Sequence, residues 1–184
     1  MSTRRGFLDR NAWLAWAMLI ALSIGMLVGL FSLIVWLLGR PVELAPVNAP
    51  DAASPACQQL TAALPAELPS HEDNGYGGDM GPLRRAALAN PAPAGAAAWG
   101  GTGGTEGQVV LRCGLPRPAE LNPTASVVEI NGVSWLTLPG ENVDTYLTLD
   151  RTVSVELTVR LRVGCEPVQT VSDAIRTTLP ALPR

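Results

Sequence analysis

The hydrophobic pattern of this chain changes character twice. From Ala12 to Leu38 the stretch AWLAWAMLIALSIGMLVGLFSLIVWLL is apolar on every side and carries no charge. At about 1.5 Å per residue it makes a helix roughly 40 Å long, enough to cross a bilayer core of about 30 Å. A signal peptide has an apolar core of only about 7 to 15 residues ahead of a small-residue cleavage site. This run is longer and continues into Gly39, Arg40 and Pro41, so the pattern predicts an uncleaved transmembrane helix over 12–38. Trp13 and Trp16 lie near one end and Trp36 near the other. Trp16 and Trp36 would stand roughly 30 Å apart, the spacing of two interfacial aromatic belts.

Beyond the span, residues 39–56 are rich in Pro and Ala without periodicity and read as a semi-extended spacer. A short helix follows from Cys57 to Leu68, with Leu60, Ala63 and Leu64 at helical spacing and Pro65 ending or kinking it. Residues 69–107 are dominated by Gly, Pro and Ala and read as one long loop.

From Gln108 the period becomes two. QVVLRC is strand-like, and SVVEINGVSWLTL holds Asn131-Gly132 between β-rich flanks, a strong hairpin signal. A two-residue turn there pairs Ile130 with Val133 and Val128 with Trp135, on one face. TYLTLD leads into TVSVELTVRLRV, where Val153 to Val163 alternate with polar partners, the mark of a sheet with one wet face. In PVQTVSDAIRTTL, Val168, Val171, Ile175 and Leu179 return to helical spacing behind a proline suited to a first turn. The predicted fold is α+β: a mostly antiparallel sheet of about five strands with a helix before and a helix after, over 57–180, and a tail at 181–184.

Charge orients the span. Arg4, Arg5 and Arg10 precede it and Arg40 alone follows closely, which predicts a cytoplasmic N-terminus at 1–11 and an extracytoplasmic domain in the cell membrane. The exported part keeps nine arginines against fifteen acids, a net charge of about −6 with His71 neutral. Such a balance disfavours nucleic acid as a partner and leaves the lipid bilayer as the first one. All 13 basic residues are arginine, and alanine is heavily used, which suggests a GC-rich bacterial genome. Within the span Ala17, Ala21, Gly25 and Gly29 share one face, with a GxxxG match, so a second transmembrane helix or another copy of the chain could approach closely there.

Catalytic chemistry finds little support. General acid/base or nucleophilic catalysis needs a nucleophile beside a base and an orienting group, or paired carboxylates. His71 is the only histidine and sits in a polar loop; no His/Cys metal spacing occurs. Asp73, Asn74 and Asp79 depart from the D-x-[DN]-x-[DN]-G order of a calcium loop and read as a surface turn. No catalytic residue, metal or cofactor is assigned. The candidate ligand-binding residues are Arg84, Arg85, Arg112 and Arg117, which flank the glycine-rich loop and suit a phosphate or carboxylate of the envelope. The simpler reading pairs such arginines with Glu156, Glu129 or Asp150, and gives Trp99 and Trp135 to the core. The function expected is an extracytoplasmic binding or accessory protein; the alternative is an extracytoplasmic enzyme or a receptor for an anionic component.

Several motifs carry a resemblance: Cys57-x-x-Leu60-x-x-Ala63-Leu64-Pro65, Arg84-Arg85, Ala98-Trp99-Gly100, Val110-Leu111-Arg112-Cys113-Gly114, Arg117-Pro118, Pro123-Thr124, Asn131-Gly132-Val133-x-Trp135, and Arg151 ahead of Val155-Glu156-Leu157-Thr158-Val159. In this order they resemble the actinobacterial membrane proteins catalogued as domain of unknown function 3515. Two departures stand out: the glycine tract after Ala98-Trp99-Gly100, and RLRVGCEP where a proline-led segment is expected. The resemblance implies a membrane-anchored envelope protein and no particular reaction. Three cysteines in an oxidising compartment allow one bridge, and the residues alone permit all three pairings. The resemblance selects Cys57 with Cys113; the rival is Cys113 with Cys165.

Overall fold

The structure, a computed structural model, describes residues 5–38, 41–70, 81–100, 109–117, 126–161 and 163–183. It divides into two compact units, Met1–Arg40 and Pro41–Arg184.

The first unit is helix α1, Arg5–Leu38. Within it Trp13–Ile34 is long and apolar enough to cross a membrane, and its residues are exposed to their surroundings throughout. A helix that is apolar all round and buries none of its side chains has lipid as its natural solvent. The helix begins ahead of the apolar run because nothing in RGFLDRN breaks it.

The second unit starts with segment 41–54, which is folded rather than a spacer. Val42 is buried and bridges Leu88 in parallel, its N–H donating to the Ala87 carbonyl at 2.8 Å and its carbonyl accepting from Ala89 at 2.9 Å. Further on, the Asp51 N–H donates to the Gly114 carbonyl at 3.1 Å. Gly114, at φ +90°, allows this crossing, since a Cβ there would collide with the backbone of Asp51 and Ala52. Pro/Ala composition identified the lack of periodicity but not this docking, which is made by backbone groups.

Helix α2, Pro55–Ala63, is capped by Ser54, whose hydroxyl accepts from the Cys57 N–H, with Pro55 in the first turn. It stops at Leu64, whose extended ψ of 138° is what a following proline imposes. The helix therefore ends ahead of Pro65, as expected of that proline, and Glu67–Leu68 beyond it form β1, paired antiparallel with β2, Leu83–Arg84.

The main sheet has six antiparallel strands: β3 (Ala96–Trp99), β4 (Val109–Leu115), β5 (Val127–Ile130), β6 (Val133–Leu138), β7 (Val143–Thr148) and β8 (Ser154–Arg160), in the order β3-β4-β8-β7-β6-β5. The five expected strands are β4 to β8. The sixth, β3, lies inside the stretch read as a long loop, as does β2. Alanine is a poor strand former, so AAAW gives no signal on its own; pairing of Ala97 with Leu111 and Trp99 with Val109 makes it a strand. The hairpin has the anticipated register, Ile130↔Val133 and Val128↔Trp135, with positive φ at Asn131 (49°) and Gly132 (77°).

One face of the sheet carries the core. Trp99, Val109, Leu111, Cys113, Val133, Trp135, Val155, Leu157 and Val159 are buried there with Leu60 of α2. They also meet Val168, Val171 and Ile175 of helix α3, Glu166–Thr178. Two apolar positions of the expected pattern depart from it. Val128 is 39% exposed, because the edge strand has no neighbour to cover it, and Leu161 is 51% exposed because β8 ends at Arg160. Nor is the end of the chain a loose tail: Ala181 bridges Arg151, and the Leu182 N–H donates to the Asp150 carbonyl at 2.8 Å.

Candidate functional site

The four candidate arginines are placed by different elements and engage different partners. Arg112, on β4, alternates with Leu111 and Cys113 and so points to the face away from the helices. Its Nη1 lies 3.2 Å from Glu156 Oε1 of β8, with both side chains largely shielded. A directly opposed pair of opposite charge on neighbouring strands favours this register. Arg84 ends β2, and its Nε lies 3.3 Å from Glu67 Oε1 in an exposed pair of the kind that contributes little.

Arg85 serves the helix face. Its guanidinium sits 5.7 Å above the Trp99 ring and donates to the Thr61 carbonyl at 3.1 Å and the Leu64 carbonyl at 3.4 Å. These are carbonyls at the end of α2, where a helix leaves acceptors unpaired and favours a cation. α2 has no basic residue in its own last turn, so Arg85 supplies one from a distant part of the chain. Arg117 is exposed just beyond β4. The structure thus brings Arg85 to the α2 terminus and Arg112 to Glu156, on opposite faces of the sheet, and does not gather the four around one point.

The cysteines are brought together as the resemblance implied. Cys57 and Cys113 form a disulfide with Cα atoms 5.6 Å apart, joining α2 to β4, and both are buried. Cys165 is a free, exposed cysteine immediately before α3.

A second polar node, whose distant partner the sequence does not show, lies at Asp150-Arg151. Arg151 is buried; its Nη1 pairs with Asp150 Oδ2 at 2.9 Å and its Nη2 donates to the Gly132 carbonyl at 2.8 Å. One side chain so ties the β5–β6 turn to the start of β8. A lone Asp-Arg between two strands reads as a turn, and only the distant Gly132 carbonyl shows otherwise. Trp135 is similarly tied, its Nε1 donating to Ser172 Oγ at 2.9 Å, while Ser172 Oγ donates to the Val168 carbonyl at 2.7 Å. Tyr146 packs edge-on against Trp135, ring centroids 6.2 Å apart. Burial, with the charges of Asp144 and Cys165 behind it, pushes its phenol above the ordinary tyrosine value.

Among the described residues no group of three or more His, Cys, Asp or Glu is arranged to hold a metal ion. His71, Asp73, Asn74, Asp79, the glycines of 101–107, and Pro123-Thr124 lie outside the described residues. On α1, Ala17, Ala21, Gly25 and Gly29 are exposed, and a Cβ added at either glycine would meet nothing within 4 Å.

No curated protein and no solved structure matches the chain. A family model does, from residue 20 to residue 184, so that it takes in most of α1 and the whole stapled domain with its six-stranded sheet. The chain belongs to the family described as protein of unknown function, DUF3515.

Proposed function

We propose that this is a single-pass protein of an actinobacterial cell envelope, its N-terminus cytoplasmic and its α+β domain outside, and that the domain works by binding, as an accessory or scaffold, rather than by catalysis. The observation that carries the reading is the conjunction of the apolar span Trp13–Ile34 with a domain stapled by Cys57–Cys113. Structural disulfides persist in oxidising compartments, and the arginines ahead of the span retain their side of the membrane. Two of the shielded arginines are spent inside the domain, Arg112 on Glu156 between β4 and β8 and Arg151 on the Gly132 carbonyl of the β5–β6 turn, which favours a structural role for them over a catalytic one.

Cys165 gives the test. In intact cells a membrane-impermeant maleimide is expected to label this exposed thiol after mild reduction. Labelling only after permeabilisation overturns the orientation. The small-residue face of α1 is offered as a contact for a second helix, and leucine at Gly25 and Gly29 is expected to weaken association of the helices.

The receptor reading, an anionic envelope component held by arginine, is favoured only at Arg84 and Arg117, since the likewise exposed Arg85 spends its guanidinium on the Thr61 and Leu64 carbonyls. A melting temperature that climbs with pyrophosphate concentration, and stops doing so in the Arg84→Ala, Arg117→Ala protein, would establish it.

A further inference from the structure

The two edges of the main sheet are treated differently. At the β3 edge the Ala86 N–H donates to the Ala98 carbonyl at 2.9 Å, the Gly100 N–H to the Arg84 carbonyl at 2.9 Å, and Arg85 bridges Trp99, so the residues after β2 cover it. At the other edge stands β5, Val-Val-Glu-Ile, with Val127 53% and Val128 39% exposed. Outside α1 the described residues expose four large apolar side chains, Val47, Val127, Val128 and Leu161, and two of the four are neighbours on this edge.

The ladder shows which backbone groups are turned outward. A two-residue turn makes Ile130↔Val133 a hydrogen-bonded pair, and alternation makes Val128↔Trp135 and Ser126↔Thr137 the next ones. The Thr137 N–H indeed donates to the Ser126 carbonyl at 2.8 Å. Ser134, opposite Glu129, gives its carbonyl to the Leu149 N–H on the far side, at 2.9 Å. Val127 and Glu129 therefore direct their N–H and C=O groups away from the sheet.

We propose that β5 pairs with β5 of a second copy, antiparallel about a two-fold axis at Val128, to make one continuous sheet of twelve strands. The choice of a second copy comes from the strand itself. With Val128 opposite Val128 of the second copy, Val127 and Glu129 of each strand exchange hydrogen bonds with Glu129 and Val127 of the other. Every outward-turned group of both residues is then satisfied, four bonds in all. The Val128 side chains meet in a close, non-hydrogen-bonded pair. Each Glu129 faces a valine, whereas centring on Glu129 would set two carboxylates directly opposite, which is unfavourable. β5 carries neither proline nor bulge, and its one charge, Glu129, alternates with Val128 and so lies on the face away from the core rather than blocking the edge from within. The pairing rests on the membrane-anchored reading only for the local concentration that confinement in a bilayer supplies.

The test uses the full-length protein in its membrane with Cys165→Ser as background, and fractionation of each sample confirms that the protein is in the membrane. In the proposed register Val128→Cys places two thiols about 4.5 Å apart by Cα, within disulfide reach, while Val127→Cys places them diagonally, about 7 to 8 Å apart and beyond it. Mild oxidation is expected to give roughly ten-fold more disulfide-linked dimer from Val128→Cys than from Val127→Cys, following that difference in reach. Adding Glu129→Pro, which removes an outward N–H and leaves the β6 ladder intact, is expected to abolish the cross-link while the Cys57–Cys113 bridge and the melting temperature are retained. Membrane-embedded protein that stays monomeric at Val128→Cys, equal cross-linking at both positions, or a cross-link to a different protein would each overturn the proposal. Absence from the membrane fraction would instead count against the anchored reading.

Discussion

Arg85 lies across the indole of Trp99 while both reach toward the end of α2, the guanidinium to the carbonyls of Thr61 and Leu64, the indole Nε1 to the carbonyl of Pro65 at 2.9 Å. Because Trp99 is fully buried and Arg85 exposed, the two contribute differently. Trp99→Ala is expected to cost about 3 to 5 kcal/mol, enough to unfold a marginal domain. Arg85→Ala is expected to cost about 1 kcal/mol, and Arg85→Lys less, as read by urea titration.

Removing the bridge tests the staple. Cys57–Cys113 closes a loop with a sequence separation of 56, for which the chain-entropy model gives about 4 kcal/mol. Cys57→Ala with Cys113→Ala is expected to lower stability by about 2 to 5 kcal/mol, measured against wild type under non-reducing conditions.

The hairpin gives a third prediction. Asn131 and Gly132 both have positive φ, and Asn131 Nδ2 also donates to the Gln169 carbonyl at 3.1 Å and Asp173 Oδ2 at 3.2 Å. Asn131→Ala with Gly132→Ala is expected to cost roughly 2 to 3 kcal/mol, about 1 to 2 for placing an L residue at the positive φ of Gly132 and about 1 for the lost Asn131 side-chain hydrogen bonds. An unchanged melting temperature would show that the turn is not what fixes the register.

Alkaline pH offers a fourth. Tyr146 has its phenol pushed up, chiefly by burial, so the folded state holds the proton more tightly than the unfolded chain does. The resulting stability is complete below the unfolded value near 10 and is lost as pH rises through the raised folded value. The chain has no lysine to obscure this range. Stability is expected to fall above pH about 10 and to fall less steeply in Tyr146→Phe.

Where the sequence was legible, local chemistry decided the outcome. The Asn-Gly turn, the alternation through Val155, Leu157 and Val159, the proline-led α3 and the uncharged span all declare themselves within one uninterrupted run of the sequence. What escaped depends on partners far along the chain. β3 is a strand because β4 pairs with it, segment 41–54 is docked because Leu88 and Gly114 receive it, and Arg151 is buried because the Gly132 carbonyl accepts from it. For the same reason the cluster of arginines around the glycine tract dissolved into separate pairs: proximity in sequence put Arg84 and Arg85 side by side, and strand geometry sent them to different partners.

The strand order β3-β4-β8-β7-β6-β5 has a seam in it. From β5 to β8 every neighbour in space is also the next strand in the chain, while β3 pairs with β4 on the other side and Cys57–Cys113 ties α2 to β4. Within the sheet the two groups meet only along β4 and β8, through Leu111↔Leu157, Arg112–Glu156 and the bond from Thr158 Oγ1 to the Val110 carbonyl. Of the pairings in the sheet this one has the greatest sequence separation, 44 between Arg112 and Glu156, so among them it carries the largest loop-closure cost. The β5–β8 meander can assemble from near neighbours, whereas the other group is drawn together across the 56 positions between Cys57 and Cys113, and the β4–β8 ladder is where the two become one sheet.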